Sequence, residues 1–189
     1  MVFISYSSKD FDSAYAVKMM LQQNGIECWM APESIPMGGD YSSAIPNAVE
    51  KCDLFLLMLS INSQESNWVP KELDLAITYN KQIIPFQIEK GNLTKPFNFR
   101  LTNVQRIEAF HNLEAAYSQL VCQIKNIVNM QPISCENVDL VMPTASETLM
   151  NVDDQLIVKF DEIFGDEKKS DDRSPLQKNT RNARKAFLE

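Results

Sequence analysis

The sequence predicts an α/β protein: a flavodoxin-like three-layer fold with a five-stranded parallel sheet in the order 2-1-3-4-5, followed by a C-terminal extension. Three observations carry that prediction. Short apolar runs alternate with stretches of helical periodicity. One run, DLFLLMLS at 53–60, is apolar on both faces, as a central parallel strand is. This patterning is concentrated before about residue 131. The expected division is therefore a domain over 1–131 and an extension over 132–189.

VFIS at 2–5 reads as a buried first strand, and Ser7 or Ser8 is placed to cap a helix beginning near Lys9. Phe11, Ala14, Val17 and Leu21 then recur at helical spacing until Gly25 ends the pattern. IECWM at 26–30 is the second strand, and APESIPMGGDY is a loop by its prolines and its Gly38-Gly39 pair. Ala44, Ile45, Ala48, Val49 and Cys52 mark a second helix, with Pro46 expected in its first turn. After the third strand, INSQES reads as a polar loop and NWVPKELDLA as the start of a third helix. QIIPFQI at 82–88 is a fourth strand in which Pro85 favours an edge or a bulge. GNLTKPFNFRLTN is irregular, VQRIEAF at 104–110 is a weak fifth strand, and Leu113 to Val128 is an amphipathic helix. In the extension, 153–164 has the pattern of one short helix, and the charged run that follows reads as a solvated linker or disordered tail.

Composition removes several function classes. The chain has 189 residues and a formal charge of −7, so it is a poor candidate for nucleic-acid binding, which relies on basic residues. No CxxC pair occurs, and Cys28, Cys52 and Cys122 sit in apolar stretches, as buried reduced thiols do. His111 is the one histidine, so the common His-based metal sites are absent and no metal is expected. The start lacks a secretory signal and no apolar run is long enough to span a membrane. The expectation is a soluble, cytoplasmic protein with no membrane partner. Phosphate loops, dinucleotide glycine fingerprints and nucleophile elbows are likewise missing.

What remains lies beyond the carboxyl ends of strands. Ser5, Tyr6 and Ser7 follow the first strand, Trp29 to Tyr41 the second, and Ser60 to Glu72 the third. With strands 1 and 3 adjacent, these loops converge on one crevice. Trp68 and Glu72 lie one helical turn apart, hence on one face. An ordinary first turn accounts for both: a Glu there favours the helix dipole, and a preceding Trp packs as a staple.

Taken together, VFISYSSKD, GIECWMAPESIPMGGDYSSAI, FLLMLS, SNWVPKELDLA and IIPFQI resemble a bacterial TIR (Toll/interleukin-1 receptor) domain from Val2 to about Val128. The resemblance implies cleavage of the nicotinamide–ribose bond of NAD⁺, giving nicotinamide and linear or cyclic ADP-ribose. NAD⁺ would be a substrate, with no cofactor. The family's WxxxE motif falls on Trp68 and Glu72, which makes Glu72 the expected catalytic residue; Trp68, Phe3, Ser5 and Tyr6 would bind substrate. Ile35, Pro36, Gly38 and Gly39 correspond to the family's BB loop. Where similar bacterial sequences often read APRDI, this one has Glu33-Ser34 in place of the Arg-Asp pair, removing a cation.

Two functions follow from the resemblance as expectations. One is an NAD⁺ nucleosidase in bacterial antiphage defence, acting as a homo-oligomer through TIR–TIR contacts and signalling to a downstream effector protein or domain. The other is a non-catalytic adaptor that works through TIR–TIR assembly alone.

Overall fold

The computed structural model describes residues 1–35, 40–129 and 140–143. Five strands, β1 (Val2–Ser5), β2 (Cys28–Trp29), β3 (Leu54–Leu59), β4 (Gln82–Gln87) and β5 (Ile107–Glu108), form one sheet in the order β2-β1-β3-β4-β5. Every pairing is parallel. Among the described residues, six α-helices accompany them: α1 (Phe11–Gln23), α2 (Tyr41–Lys51), α3 (Ile61–Glu65), α4 (Val69–Thr78), α5 (Lys95–Arg100) and, after β5, α6 (Leu113–Asn129). α1 packs with α6 and α2 packs with α4, so both faces of the sheet are covered. The predicted fold class and strand order are those observed.

The reason is visible in β3. All six of its residues are buried, because neighbouring strands flank it and helices cover it above and below. Its uninterrupted LFLLML run meets apolar side chains on both faces, the condition of an interior parallel strand. Phe3 links the central strands to the edge: its ring stacks on Phe55 of β3 at 5.4 Å and on Trp29 of β2 at 4.8 Å. These are direct cross-strand neighbours, Phe3 standing opposite both in register.

Several local expectations are corrected. β2 and β5 are two residues each, shorter than the 26–30 and 104–110 runs, since each keeps only the residues that reach a hydrogen-bonded neighbour. INSQES contains the short helix α3, whose N-terminus Ser60 and Ser63 close as a reciprocal capping box. α5 occupies part of the stretch read as irregular. The first helix begins as a 3-10 turn, Ser8–Asp10, and Ser7 caps it with its carbonyl rather than its hydroxyl. Pro46 lies inside α2, past the first turn, because α2 begins at Tyr41, with the Asp40 side chain accepting from the Ser42 N–H. The carbonyl deprived of a partner by Pro46 belongs to exposed Ser42, where water can replace it.

Pro85 is compatible with a sheet-interior strand for a directional reason. The Ile88 N–H donates to Leu59 of β3, whereas Gln87 accepts from Ala109 on the β5 side. Odd-numbered residues of β4 therefore face β5, and β5 pairs only with Phe86 and Gln87. The missing N–H of Pro85 points to a side where no strand has yet begun.

Gly25 closes α1 with φ 77, the left-handed conformation that a residue without a Cβ adopts at little cost. Nearby, the Asn24 side-chain amide donates to Val141 O at 3.0 Å and accepts from Val141 N at 3.3 Å. Leu140 packs against the core beside this contact. The helix expected over 153–164 lies outside the described residues. Cys28 and Cys52 are free thiols, while Cys122 is disulfide-bonded, a correction to the expectation of three reduced thiols. A disulfide sulfur is as content in an apolar setting as a thiol, so hydrophobic context does not separate the two.

Leu56 sits at 0% exposure between Ile4 and Ile84 in register. Leu56→Ala should destabilise the fold by about 2–5 kcal/mol, measured by urea denaturation, through lost burial and the cavity it leaves.

Candidate functional site

α4 supplies the centre of the site. Trp68 occupies its N-cap with φ −106 and ψ −46, and its carbonyl accepts from the N–H groups of Lys71 (2.9 Å) and Glu72 (3.0 Å). With no capping oxygen on Trp68, Ser66 takes that part: its hydroxyl oxygen accepts from the Trp68 N–H at 3.1 Å and the Val69 N–H at 3.4 Å. Pro70 follows inside the first turn, where its missing N–H costs nothing. This short, well-capped turn directs Glu72 toward the sheet.

Glu72 reaches the end of β1. The Ser5 hydroxyl donates to Glu72 Oε2 at 2.6 Å, across 67 residues of sequence. The Glu72 side chain is buried, with 9% of the residue exposed. Burial pushes its carboxyl up from 4.5 to about 7, because the charged form loses water; the Ser5 hydrogen bond opposes that rise by favouring the carboxylate. Asp10 is the other buried acid among the described residues, and it is differently provided for: the Ser60 hydroxyl and the Asn62 amide both donate to it. Asp10 ties the start of α1 to the start of α3, while Glu72 stands at a cleft.

That cleft is a concavity of about 360 Å³, the solvent at its mouth included. One wall is Trp68, Ser66 and Glu72; the floor is Phe3 and Ile4; Tyr6 and Ser8 follow from β1; Trp29, Ala31 and Ile45 form the opposite wall. Lys71 Nζ lies 4.8 Å from the centroid of the Trp68 ring, within cation–π range. The Tyr6 hydroxyl donates to Ala31 O at 2.5 Å and so joins the end of β1 to the loop after β2.

Of the residues singled out from sequence, Phe3, Tyr6, Trp68 and Glu72 line this one cleft, and Ser5 touches it through Glu72. Ile35 is buried near the start of its loop but does not line the cleft. Pro36, Gly38 and Gly39 lie outside the described residues. Trp29, Ala31, Ile45 and Ser66 were not singled out. Trp29, Ala31 and Ser66 fall within the stretches expected to converge on the crevice, whereas Ile45 arrives only through tertiary packing. His111 is exposed and pairs with Glu108 at 3.4 Å, away from the cleft. Among the described residues no group of three His, Cys, Asp or Glu side chains is placed to hold a metal, and no helix is long and apolar enough to cross a membrane.

The raised Glu72 carboxyl makes a stability prediction. The folded protein binds the proton more tightly than the unfolded chain, so Glu72 weakens folding as pH rises from 4.5 to about 7, by about 3 kcal/mol in all. Glu72→Gln retains the shape and an acceptor for Ser5 but removes the titration. The variant should match wild type near pH 4 and exceed it in stability above pH 7, read from denaturation midpoints across that range. Equal stability at pH 8 would show that Glu72 ionises without penalty.

No curated protein matches the chain significantly. A family model described as TIR domain matches residues 2–121, a span that contains all five strands and every residue of the cleft. The chain belongs to the TIR-domain family.

Proposed function

We propose that the protein is an NAD⁺ nucleosidase that breaks the nicotinamide–ribose bond, with Glu72 as its catalytic carboxylate. The observation that supports this most is the isolation of Glu72: a buried carboxyl, aimed into a cleft with two indole rings, held by a hydroxyl rather than by a cation. A carboxylate locked in a salt bridge would be electrostatically spent. This one is destabilised by its surroundings and gains most when positive charge develops beside it.

Nicotinamide leaves the ribose as a neutral molecule, taking the bonding electron pair, and the sugar carries the positive charge. The transition state has oxocarbenium character, which the Glu72 carboxylate opposes at close range. No acid is needed to protonate the leaving group. Trp68, packed on the same wall, offers a ring face to the cationic pyridinium, a contact worth about 0.5–2 kcal/mol. Water or a nucleophile from the substrate then completes hydrolysis or cyclisation. By family likeness we place this activity in bacterial antiphage signalling, through assembly of copies of the chain and release of a product to a downstream effector.

A second reading rests on another surface. Phe99 is 85% exposed and Ile77 43%, and they border an open groove with Asp74, Pro96 and Arg100. Such a patch suits a TIR adaptor that acts through assembly alone.

Purified protein at high concentration should release nicotinamide from NAD⁺, and Glu72→Ala should lose at least about 10²–10³-fold of the rate. Absence of turnover by wild type, together with self-association abolished by Phe99→Ser, would favour the adaptor. Because the carboxylate is the active form, kcat/KM should climb with pH below about 7 and level off above it, reporting the free protein's Glu72.

A further inference from the structure

α5 carries an aromatic residue that the core does not use. Phe97 anchors the helix in the core, and Phe99, two positions on, leaves the opposite side of the helix into solvent. Among the described residues Phe99 is the most exposed large apolar side chain. With Ile77 and Pro96 it borders the open groove between α4 and α5. The spacing of that groove is fixed. Arg100 of α5 donates from Nε to Asp74 Oδ1 at 2.6 Å and from Nη2 to Asp74 Oδ2 at 2.7 Å, a bidentate clasp on α4. The pair neutralises its own charges, so the groove offers a partner a preformed apolar surface.

The chain carries a segment of matching chemistry. Beyond Pro143 its apolar residues cluster most densely in DDQLIVKFDEIF at 153–164, and a charged run follows. Leu156, Ile157, Phe160, Ile163 and Phe164 recur at i, i+1, i+4, i+7 and i+8, the spacing of anchors that a helix lays into a groove. An isolated helix of that length is marginal in water, so such a face needs a surface to hold it.

The described part of the extension brings the segment within reach. Val141 is hydrogen-bonded to Asn24 at the end of α1, which leads into β2. Ile77 lies near the end of α4, which leads into β4. Anchor and groove therefore share one end of the sheet, beyond the amino ends of the strands. β2 and β4 are three strand spacings apart, about 14 Å, and the helix layer on each face adds about 10 Å. The stretch from Pro143 to Asp153 spans up to about 33 Å when extended. So short a tether gives the segment an effective concentration on the order of millimolar at the groove, which a separate copy reaches only in concentrated solution.

We infer that the α4–α5 groove is occupied in cis by the chain's own segment 153–164, with Leu156, Ile157 and Phe160 lying on Phe99 and Ile77. A groove filled this way is closed to a second copy, so the extension restrains assembly through this surface. None of the residues that line the Glu72 cleft lines this groove, and the inference does not depend on NAD⁺ turnover.

A photocross-link from the groove, made in the full chain, tests it. p-Benzoylphenylalanine in place of Phe99 puts the reactive ketone at a side chain that the core does not contain. Irradiated in dilute solution, the protein should give a monomer-sized product in which the Phe99 peptide is joined to residues 153–164, identified by mass spectrometry. Phe160→Asp in the same chain should cut that yield at least about fivefold, and Phe160→Leu should retain it. A dimer-sized product overturns the inference and favours the adaptor reading. Absence of any cross-link, a cross-link to another part of the chain, or a yield indifferent to Phe160→Asp overturns it as well.

Discussion

A single hydrogen bond joins the two parts of this molecule that matter most to each other: Ser5, at the carboxyl end of β1, donating to Glu72, one turn into α4. It spans the sheet and the helix layer, and it partly offsets the burial of a carboxyl that would otherwise remain protonated well above its ordinary range. Most of the architecture can be understood as what makes that contact available. β1 must lie beside β3 so that its end faces the loop from which α4 descends. α4 must begin sharply, which the Ser66 cap and Pro70 ensure. Phe3, stacked on Phe55 and on Trp29, then lines the cleft together with Glu72 and supplies an apolar surface there.

The arrangement has a thermodynamic direction. Core strands such as β3 stabilise the fold by burying apolar area, while the ionisation of Glu72 works against folding near neutral pH. Contrast Asp10, equally hidden but supplied with two donors, which serves cohesion rather than chemistry. Poorly compensated burial of an acid is tolerable when function needs an electrostatically eager carboxylate, and perturbed groups concentrate at such places.

Much of this was legible from the chain, for identifiable reasons. β3 stands out as an uninterrupted apolar run and α6 by its 3.6-residue period, and the alternation of such segments implies a parallel sheet covered by helices. Trp68 and Glu72 could be placed on one face because one turn of helix dictates it. The Ser5–Glu72 bond could not be read, because it depends on which strands are neighbours and on the register between β1 and β3. α3 and α5 were missed since five or six residues carry too little periodicity to rise above a polar loop. Pro46 misled because a local rule about first turns says nothing of where Asp40 starts the helix. Ile45 enters the cleft by helix packing, for which no sequence signal exists.

The most direct measurement of the central claim is the ionisation of Glu72 itself, followed by carbon-13 NMR of its side-chain carboxyl in wild type and in Ser5→Ala. A buried carboxyl restrained by one hydroxyl should titrate near 7 in wild type, and higher still once Ser5 can no longer donate. A Glu72 that titrates near 4.5, or one indifferent to the loss of Ser5, would contradict the account.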